Sequence, residues 1–230
     1  MKTISIIIPV FNEEATIRKV FKKVYQASTS GFEKEFIIVN DGSEDTTERV
    51  IRKIKLDFDN VILLKHNKNK GKGKAIRTAL KKATGELIII QDADLEYNPE
   101  NYQDLIKVYQ EGSPVVYGSR NMNPKRKGYT HYVWGVKFLS KIISVLSGQK
   151  ITDAYTCYKL FRKDILKNLF LESSGFEIEA EITVRIIKKG YNIKEVPIDY
   201  FPRTFKEGKK INVKDGIIGL YSIFKFWFKN

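Results

Sequence analysis

Residues 1–120 alternate between two hydrophobic periods, and that alternation limits the folds open to the chain. Short β-rich runs occur at 4–9, 36–40, 61–65, 87–91 and 115–118. Between them, apolar residues at helical spacing predict helices over 13–27, 46–55, 74–83 and 99–110. A chain in βαβα order forms a mostly parallel sheet covered by helices on both faces, an α/β fold. Such sheets bind ligands beyond the carboxyl ends of their strands. Four of the five runs end there in polar or turn-forming residues: Pro9-Val10-Phe11-Asn12-Glu13, Asn40-Asp41-Gly42-Ser43, Gln91-Asp92-Ala93-Asp94 and Gly118-Ser119-Arg120. Acids and loop backbone therefore gather along one sheet edge, where the site is expected.

The fourth run is unusual. Three isoleucines lead through Gln91 into Asp92, Asp94 and Glu96 before Pro99 interrupts. Alternate residues of an extended strand share a face, so the three carboxylates are expected to point the same way. Close carboxylates repel and raise one another's pKa, and such a cluster calls for a cation. Magnesium and manganese prefer oxygen ligands, taking one or two carboxylates beside water and substrate phosphate. Asp92, Asp94 and Glu96 are thus the expected ligands of Mg2+ or Mn2+. The plainer reading is a solvated turn with an aspartate capping the next helix.

Asn40-Asp41-Gly42 is turn chemistry, and Asp45 or Thr46 can cap a helix. Its functional reading has Asp41 accepting hydrogen bonds from a nucleotide base. Asn69-Lys70-Gly71-Lys72-Gly73-Lys74 opens a helix, with glycines that admit a ligand to the backbone and lysines that favour an anion. It is neither a Walker A loop nor Gly-x-Gly-x-x-Gly, since Ile76 stands where the last glycine belongs. Two basic loops follow, one with Arg120, Lys125, Arg126 and Lys127, the other running from Arg203 to Lys210. Solvated charge explains each lysine. Arg120 follows a strand and Arg203 a proline, and the planar guanidinium fork suits phosphate.

The second half reads differently. Trp134, Phe138, Leu139, Ile142, Val145 and Leu146 recur at roughly helical spacing, with Lys137 and Lys141 facing elsewhere. A helix is expected over 177–189 and a short strand near 193–196. The end, IIGLYSIFKFWFK, is very apolar. Twelve helical residues reach about 18 Å, short of the ~30 Å of a bilayer core. The segment docks on its own domain, lies in a membrane interface with Tyr221 and Trp227 at headgroup level and Lys225 and Lys229 toward anionic lipid, or does both on different faces. One domain over 1–212 with an amphipathic aromatic helix over 213–230 is expected. The first residues do not read as a signal peptide, and no uncharged run approaches about 20 residues. Cys157 is the one cysteine, so no internal disulfide forms and a reducing compartment fits. The net charge of +14 would draw nucleic acid, anionic lipid or a phosphorylated substrate, or simply keep the protein soluble.

SIIIPVFNEEATI, IIVNDGS, NKGKGKA, IIIQDADLEYNP and VVYGSR, in this order, resemble the inverting family 2 glycosyltransferases with a GT-A (Rossmann-like) fold. TDAYTCYKLF, GFEIEAEIT and VPIDYFPRTFKEGKKI are similar to the dolichol-phosphate mannose synthase and polyprenyl-phosphate glycosyltransferase branch. The resemblance covers residues 3–215 and implies a nucleotide-sugar donor, such as GDP-mannose or UDP-glucose, and a divalent metal. By position it implies a donor pocket of Pro9, Phe11, Glu13, Asp41, Lys72, Asp92 and Ala93. Asp92 and Asp94, with Glu96 where mannose synthases often carry glutamine, would hold the metal–diphosphate. Asp94, Arg120 and Arg203 would be catalytic, and Arg120, Arg203 and Lys210 would grip the acceptor phosphate.

The implied reaction is inverting transfer of a hexose to polyprenyl phosphate, on the cytoplasmic face of a membrane whose anionic surface attracts the chain. A separate membrane-protein partner is compatible with this reading. A lipid phosphate is already an anion and needs no strong base. The alternative acceptor is a sugar hydroxyl in polysaccharide or glycolipid synthesis, which would call on Asp153, Glu179 or Glu181 as base. Nucleic acid is not an expected partner, because the lysine loops and aromatics are already used by the transferase reading.

Overall fold

The computed structural model describes residues 2–124, 130–204 and 213–229. Lys125, Arg126, Lys127 and Lys210 lie outside the described residues. The strands are β1 Thr3–Val10, β2 Glu33–Asn40, β3 Val61–Lys65, β4 Leu87–Ile90, β5 Val115–Ser119, β6 Lys159–Arg162 and β7 Lys194–Pro197. They form one sheet in the order β3-β2-β1-β4-β6-β5-β7. Only β6 runs against the others among the described strands, pairing antiparallel with β4 and β5. The parallel register of β1 with β2, from Thr3 opposite Glu33 to Val10 opposite Asn40, brings both strand ends to one level.

Ile6, Ile7 and Ile8 of β1, Phe36 to Val39 of β2 and all of β4 are buried. Continuous burial, rather than alternation, marks strands with helices on both faces. Helix α1 (Ile17–Gln26) covers one face through Ile17, Val20, Phe21 and Val24, at the i, i+3, i+4, i+7 spacing of one helical stripe. Helices α2 (Thr47–Asp57), α3 (Lys72–Leu80) and α4 (Tyr102–Gln110) complete the expected alternation. Each fully buried aliphatic or aromatic side chain contributes about 1.5–3 kcal/mol, so this core dominates the stability.

The second half adds α5 (Thr130–Ser147), α6 (Lys163–Lys167), α7 (Ile178–Lys188) and α8 (Val213–Phe228). Ile223 and Phe226 of α8 join the core, while Ile217, Tyr221 and Phe228 stay exposed. One face of α8 therefore docks on its own domain, and the opposite face is left uncovered. Among the described residues, no helix is long and apolar enough to cross a membrane.

Two expectations are corrected. The 87–91 strand stops at Ile90, and the chain then bends through Leu95 at φ 64°. DADLE is therefore not extended, and its three carboxylates do not share a strand face. The expected 13–27 helix begins only at Ile17, because residues 12–16 form a turn in which Asn12 sits at φ 50° and the Glu13 carbonyl accepts from Ile17 N–H.

Candidate active site

Three loops meet beyond the carboxyl ends of β1, β2 and β4. Asn12 fastens the first two: its N–H donates to Ser43 Oγ at 3.0 Å, and its side-chain oxygen accepts from Glu44 N–H at 2.9 Å. Glu13 N–H donates to Thr47 Oγ1 at 2.8 Å. Thr16 Oγ1 donates to Glu13 Oε2 at 2.6 Å and lies 2.7 Å from the Ala93 carbonyl, which ties the first loop to the third. The fourth wall comes from α3 and the 173–176 loop. Gly71 takes φ 88° at the start of α3, and a Cβ there would collide with the Ser174 carbonyl. Glycine is needed at that position for both reasons.

These walls enclose a cleft of about 330 Å³. Pro9, Phe11, Glu13, Asp41, Lys72, Asp92 and Ala93 all line it, together with Asn69, Gly175 and Phe176. The seven donor residues expected from sequence thus surround one cavity.

Asp41 is buried, and its carboxylate accepts from Lys70 N–H at 3.0 Å and Gly71 N–H at 2.7 Å, with His66 Nδ1 2.5 Å away. Lys72 Nζ stands 2.7 Å from Asp92 Oδ1 and 2.9 Å from Glu179 Oε1. Glu179 is also paired with Lys159, which is wholly buried on β6. Burial works to raise the Glu179 pKa, yet Lys159 and Lys72 together hold it below the ordinary carboxylate value. Lys72, Asp92 and Glu179 are each singled out in the sequence; Lys159 is not, because a lysine is almost never fully buried unless paired.

Arg203 crosses above the acids. Its guanidinium reaches Glu13 at 3.1 and 3.2 Å and Asp94 Oδ2 at 3.3 Å, and its backbone N–H donates to Glu96 Oε1 at 2.8 Å. Glu96 also accepts from the Tyr200 hydroxyl at 2.5 Å. Burial, then the charges of Asp92 and Glu96, push the Asp94 carboxyl up to about 8.

The three carboxylates expected as metal ligands are not drawn together: Asp92 turns to Lys72, while Asp94 and Glu96 turn to Arg203. Among the described residues, no group of three or more Asp, Glu, His or Cys side chains stands ready to hold a metal. The residues nonetheless fit a magnesium- or manganese-like ion. Their donors are all oxygen, and Glu13, Asp94 and Glu96 face one guanidinium, while burial and the neighbouring Asp92 and Glu96 charges raise the Asp94 pKa. Such ions take only one or two protein carboxylates and complete their shell from substrate and water.

Arg120 lies at the far side, buried. Its Nε and Nη2 donate to Asp153 at 2.8 and 2.9 Å, and its guanidinium carbon sits 5.0 Å from the Tyr200 ring centre. Glu181 is buried and accepts from Ser173 N–H at 2.8 Å and Arg185 Nε at 2.8 Å.

Residues 5–170 match the family model described as Glycosyl transferase family 2. The chain belongs to that family. As a family 2 glycosyl transferase, it is 30% identical over 214 residues to the dolichyl-phosphate beta-glucosyltransferase ALG5A of Trichomonas vaginalis, covering 86% of this chain and 65% of the relative. It is 29% identical to the dolichol-phosphate mannosyltransferase of Pyrococcus furiosus, covering 90% of this chain and 58% of that one. The chain thus spans less than two thirds of either relative's length. It is 30% identical to the UDP-N-acetylglucosamine–dolichyl-phosphate N-acetylglucosaminyltransferase of Methanococcus voltae, over 96% of this chain and 95% of the relative. The fold of this family 2 member is similar to that of glucosyl-3-phosphoglycerate synthase from Mycobacterium tuberculosis, solved with Mn2+, UDP and phosphoglyceric acid. The TM-score is 0.73 at 18% identity, over 99% of this chain and 79% of that one. The expected GT-A architecture, a mostly parallel sheet flanked by helices, is the one observed.

Proposed function

We propose that the protein transfers a hexose, with inversion, from a nucleotide-sugar donor to a polyprenyl phosphate. The observation that carries the choice of acceptor is the state of the three possible bases. Asp153 is held by Arg120, Glu179 by Lys72 and Lys159, and Glu181 by Arg185 and backbone N–H groups. A sugar hydroxyl must lose a proton to attack, and a carboxylate locked in a buried ion pair is a poor base. A phosphate arrives already ionised. Dolichyl-phosphate transferases among the relatives support the same reading.

In this reading the donor's base lies against Asp41, and its diphosphate lies between Lys72 and the Asp92–Asp94 turn. Asp92 and Asp94, with Glu96 beside them, would hold Mg2+ or Mn2+, which when bound neutralises charge on the departing diphosphate. Lys72 adds a fixed positive charge at the same place, preorganised by Asp92 and Glu179. Arg203, shared among Glu13, Asp94 and Glu96, can swing part of its charge to incoming phosphate. Arg120 keeps guanidinium donors beyond the two that face Asp153, and these orient the acceptor phosphate. An acceptor oxygen attacks the anomeric carbon as the bond to the diphosphate breaks on the opposite side. The protein works as a peripheral enzyme on the cytoplasmic face of a membrane, with room for a membrane-protein partner.

The test is a donor panel with manganese or magnesium and a short-chain polyprenyl phosphate, following sugar into organic-extractable product. The expected result is transfer from one donor, abolished by a chelator. Donor hydrolysis without lipid product, or transfer to an added sugar, would move the reading to a hydroxyl acceptor.

A further inference from the structure

The base end of the cleft is organised around a single carboxylate. Asp41 follows β2 directly, and its own N–H donates to the Val10 carbonyl at 2.8 Å, so its position is set by the sheet. Its Oδ1 accepts from Lys70 N–H at 3.0 Å and meets His66 Nδ1 at 2.5 Å, while its Oδ2 accepts from Gly71 N–H at 2.7 Å. A carboxylate oxygen accepts, so His66 Nδ1–H is the donor to Oδ1, and Nε2 lies 2.9 Å from the Thr78 hydroxyl.

These donors are not loose. His66 N–H donates to the Asn40 carbonyl at 2.9 Å, which anchors the start of the loop to β2. Gly42 takes φ 70°, and a Cβ there would collide with the Lys68 backbone, so the 66–71 loop lies flat on the 40–42 turn. Gly71 then enters α3. A carboxylate has about four lone-pair sites. Among the described residues, three of them are filled by the protein, two at Oδ1 and one at Oδ2. A ligand finds one acceptor position, on Oδ2.

The nucleobases differ in what they ask of a carboxylate. Guanine turns two adjacent donors to it, N1–H and the 2-amino group, and needs an open acceptor on each oxygen. At Asp41 that requires displacing His66 or Lys70 N–H. Adenine and cytosine set an amino donor beside a ring nitrogen whose lone pair would face a carboxylate oxygen. Uracil turns a single donor, N3–H, flanked by the O2 and O4 carbonyls. Asn69 lines the same cleft, and its amide can donate to one of these carbonyls. We propose that the donor nucleotide is a uridine diphosphate, with N3–H on Asp41 Oδ2, Asn69 on a flanking carbonyl, and His66 as the positioning residue that closes Oδ1 to guanine. The proposal rests on the nucleotide-sugar reading above and adds the base to it.

Calorimetric titration of the full chain with UDP, GDP, ADP and CDP in the presence of Mn2+ tests it. UDP is expected to bind at least about tenfold more tightly than the other three, the size of one discriminating hydrogen-bond arrangement. Asn69→Ala should weaken UDP several-fold and leave GDP nearly unchanged. His66→Leu opens a lone pair on Oδ1 and should narrow the UDP/GDP ratio; an unchanged ratio in that folded variant would overturn the role given to His66. If the variant does not fold, the wild-type panel decides. GDP binding as tightly as UDP overturns the uridine assignment and leaves the nucleotide-donor reading standing. Binding of none of the four overturns both.

Discussion

Asp94 is the carboxylate at which a proton and the proposed cation would compete. Its carboxyl is pushed from 3.8 up to about 8, first by burial and then by Asp92 and Glu96, against the pull of Arg203. The folded chain therefore holds a proton that the unfolded chain has lost. That contribution to stability is full below the unfolded value near 3.8 and disappears as pH rises through about 8. A cation at the same carboxylate competes with that proton. Manganese affinity should thus climb as pH rises toward about 8 and level off above it, read by electron paramagnetic resonance at constant ionic strength. Asp94→Asn should flatten the climb and lower transfer by about a hundredfold or more, with the fold intact by circular dichroism. A metal affinity indifferent to pH would remove Asp94 from the site. The acids at strand ends were legible in the sequence because topology alone places strand termini together. Their individual partners were not: Arg203 reaches Glu13 across 190 positions of sequence, and no local pattern encodes that contact.

β6 shows where pattern reading stops. Five parallel strands followed from alternation, and β7 was expected near 193–196, but Lys159–Arg162 gave no strand signal. Its first residue is a lysine that the fold buries completely, between Glu179 on α7, the Thr156 carbonyl and the Tyr117 ring. Burial lowers the Lys159 pKa, while Glu179 works to raise it. The pair is therefore a joint between β6, α7 and, through Lys72, α3. Removing one partner of a buried pair costs about 3–5 kcal/mol, because the other charge is left without compensation. Lys159→Met should lose about that much in urea denaturation, and Glu179→Gln a comparable amount. The double variant should be more stable than the sum of the two losses predicts, by at least about 1 kcal/mol. Strict additivity would show that the two side chains do not act together.

At the scale of the whole molecule, two helices that touch, α5 and α8, carry several of the exposed large apolar side chains. Trp134, Phe138 and Val145 of α5 are 61–70% exposed, and Ile217, Tyr221 and Phe228 of α8 are 67–72% exposed. Helical spacing in the sequence pointed to α5 and a very apolar terminus to α8; which face each would leave uncovered depended on their packing, with Leu139, Ile143, Ile223 and Phe226 turned inward. Lys137, Lys141 and Lys150 line a groove beside α5, and Lys137 Nζ stands 5.9 Å from the Trp134 ring centre. Aromatic side chains beside lysines are the composition of a membrane-surface helix, and the net charge of +14 adds long-range attraction to anionic lipid. The protein should therefore sediment with phosphatidylglycerol-containing vesicles, bind phosphatidylcholine vesicles more weakly, and lose affinity as salt screens the lysines. Replacing Trp134, Phe138, Tyr221 and Phe228 together by serine should weaken vesicle binding by tenfold or more, since each buried aromatic contributes about 1.5–3 kcal/mol. The same variant should keep its rate on a water-soluble short-chain acceptor and lose it on long-chain acceptor in vesicles. Equal loss on both acceptors would place these side chains in folding rather than docking. Unchanged vesicle binding would assign the surface to a protein partner.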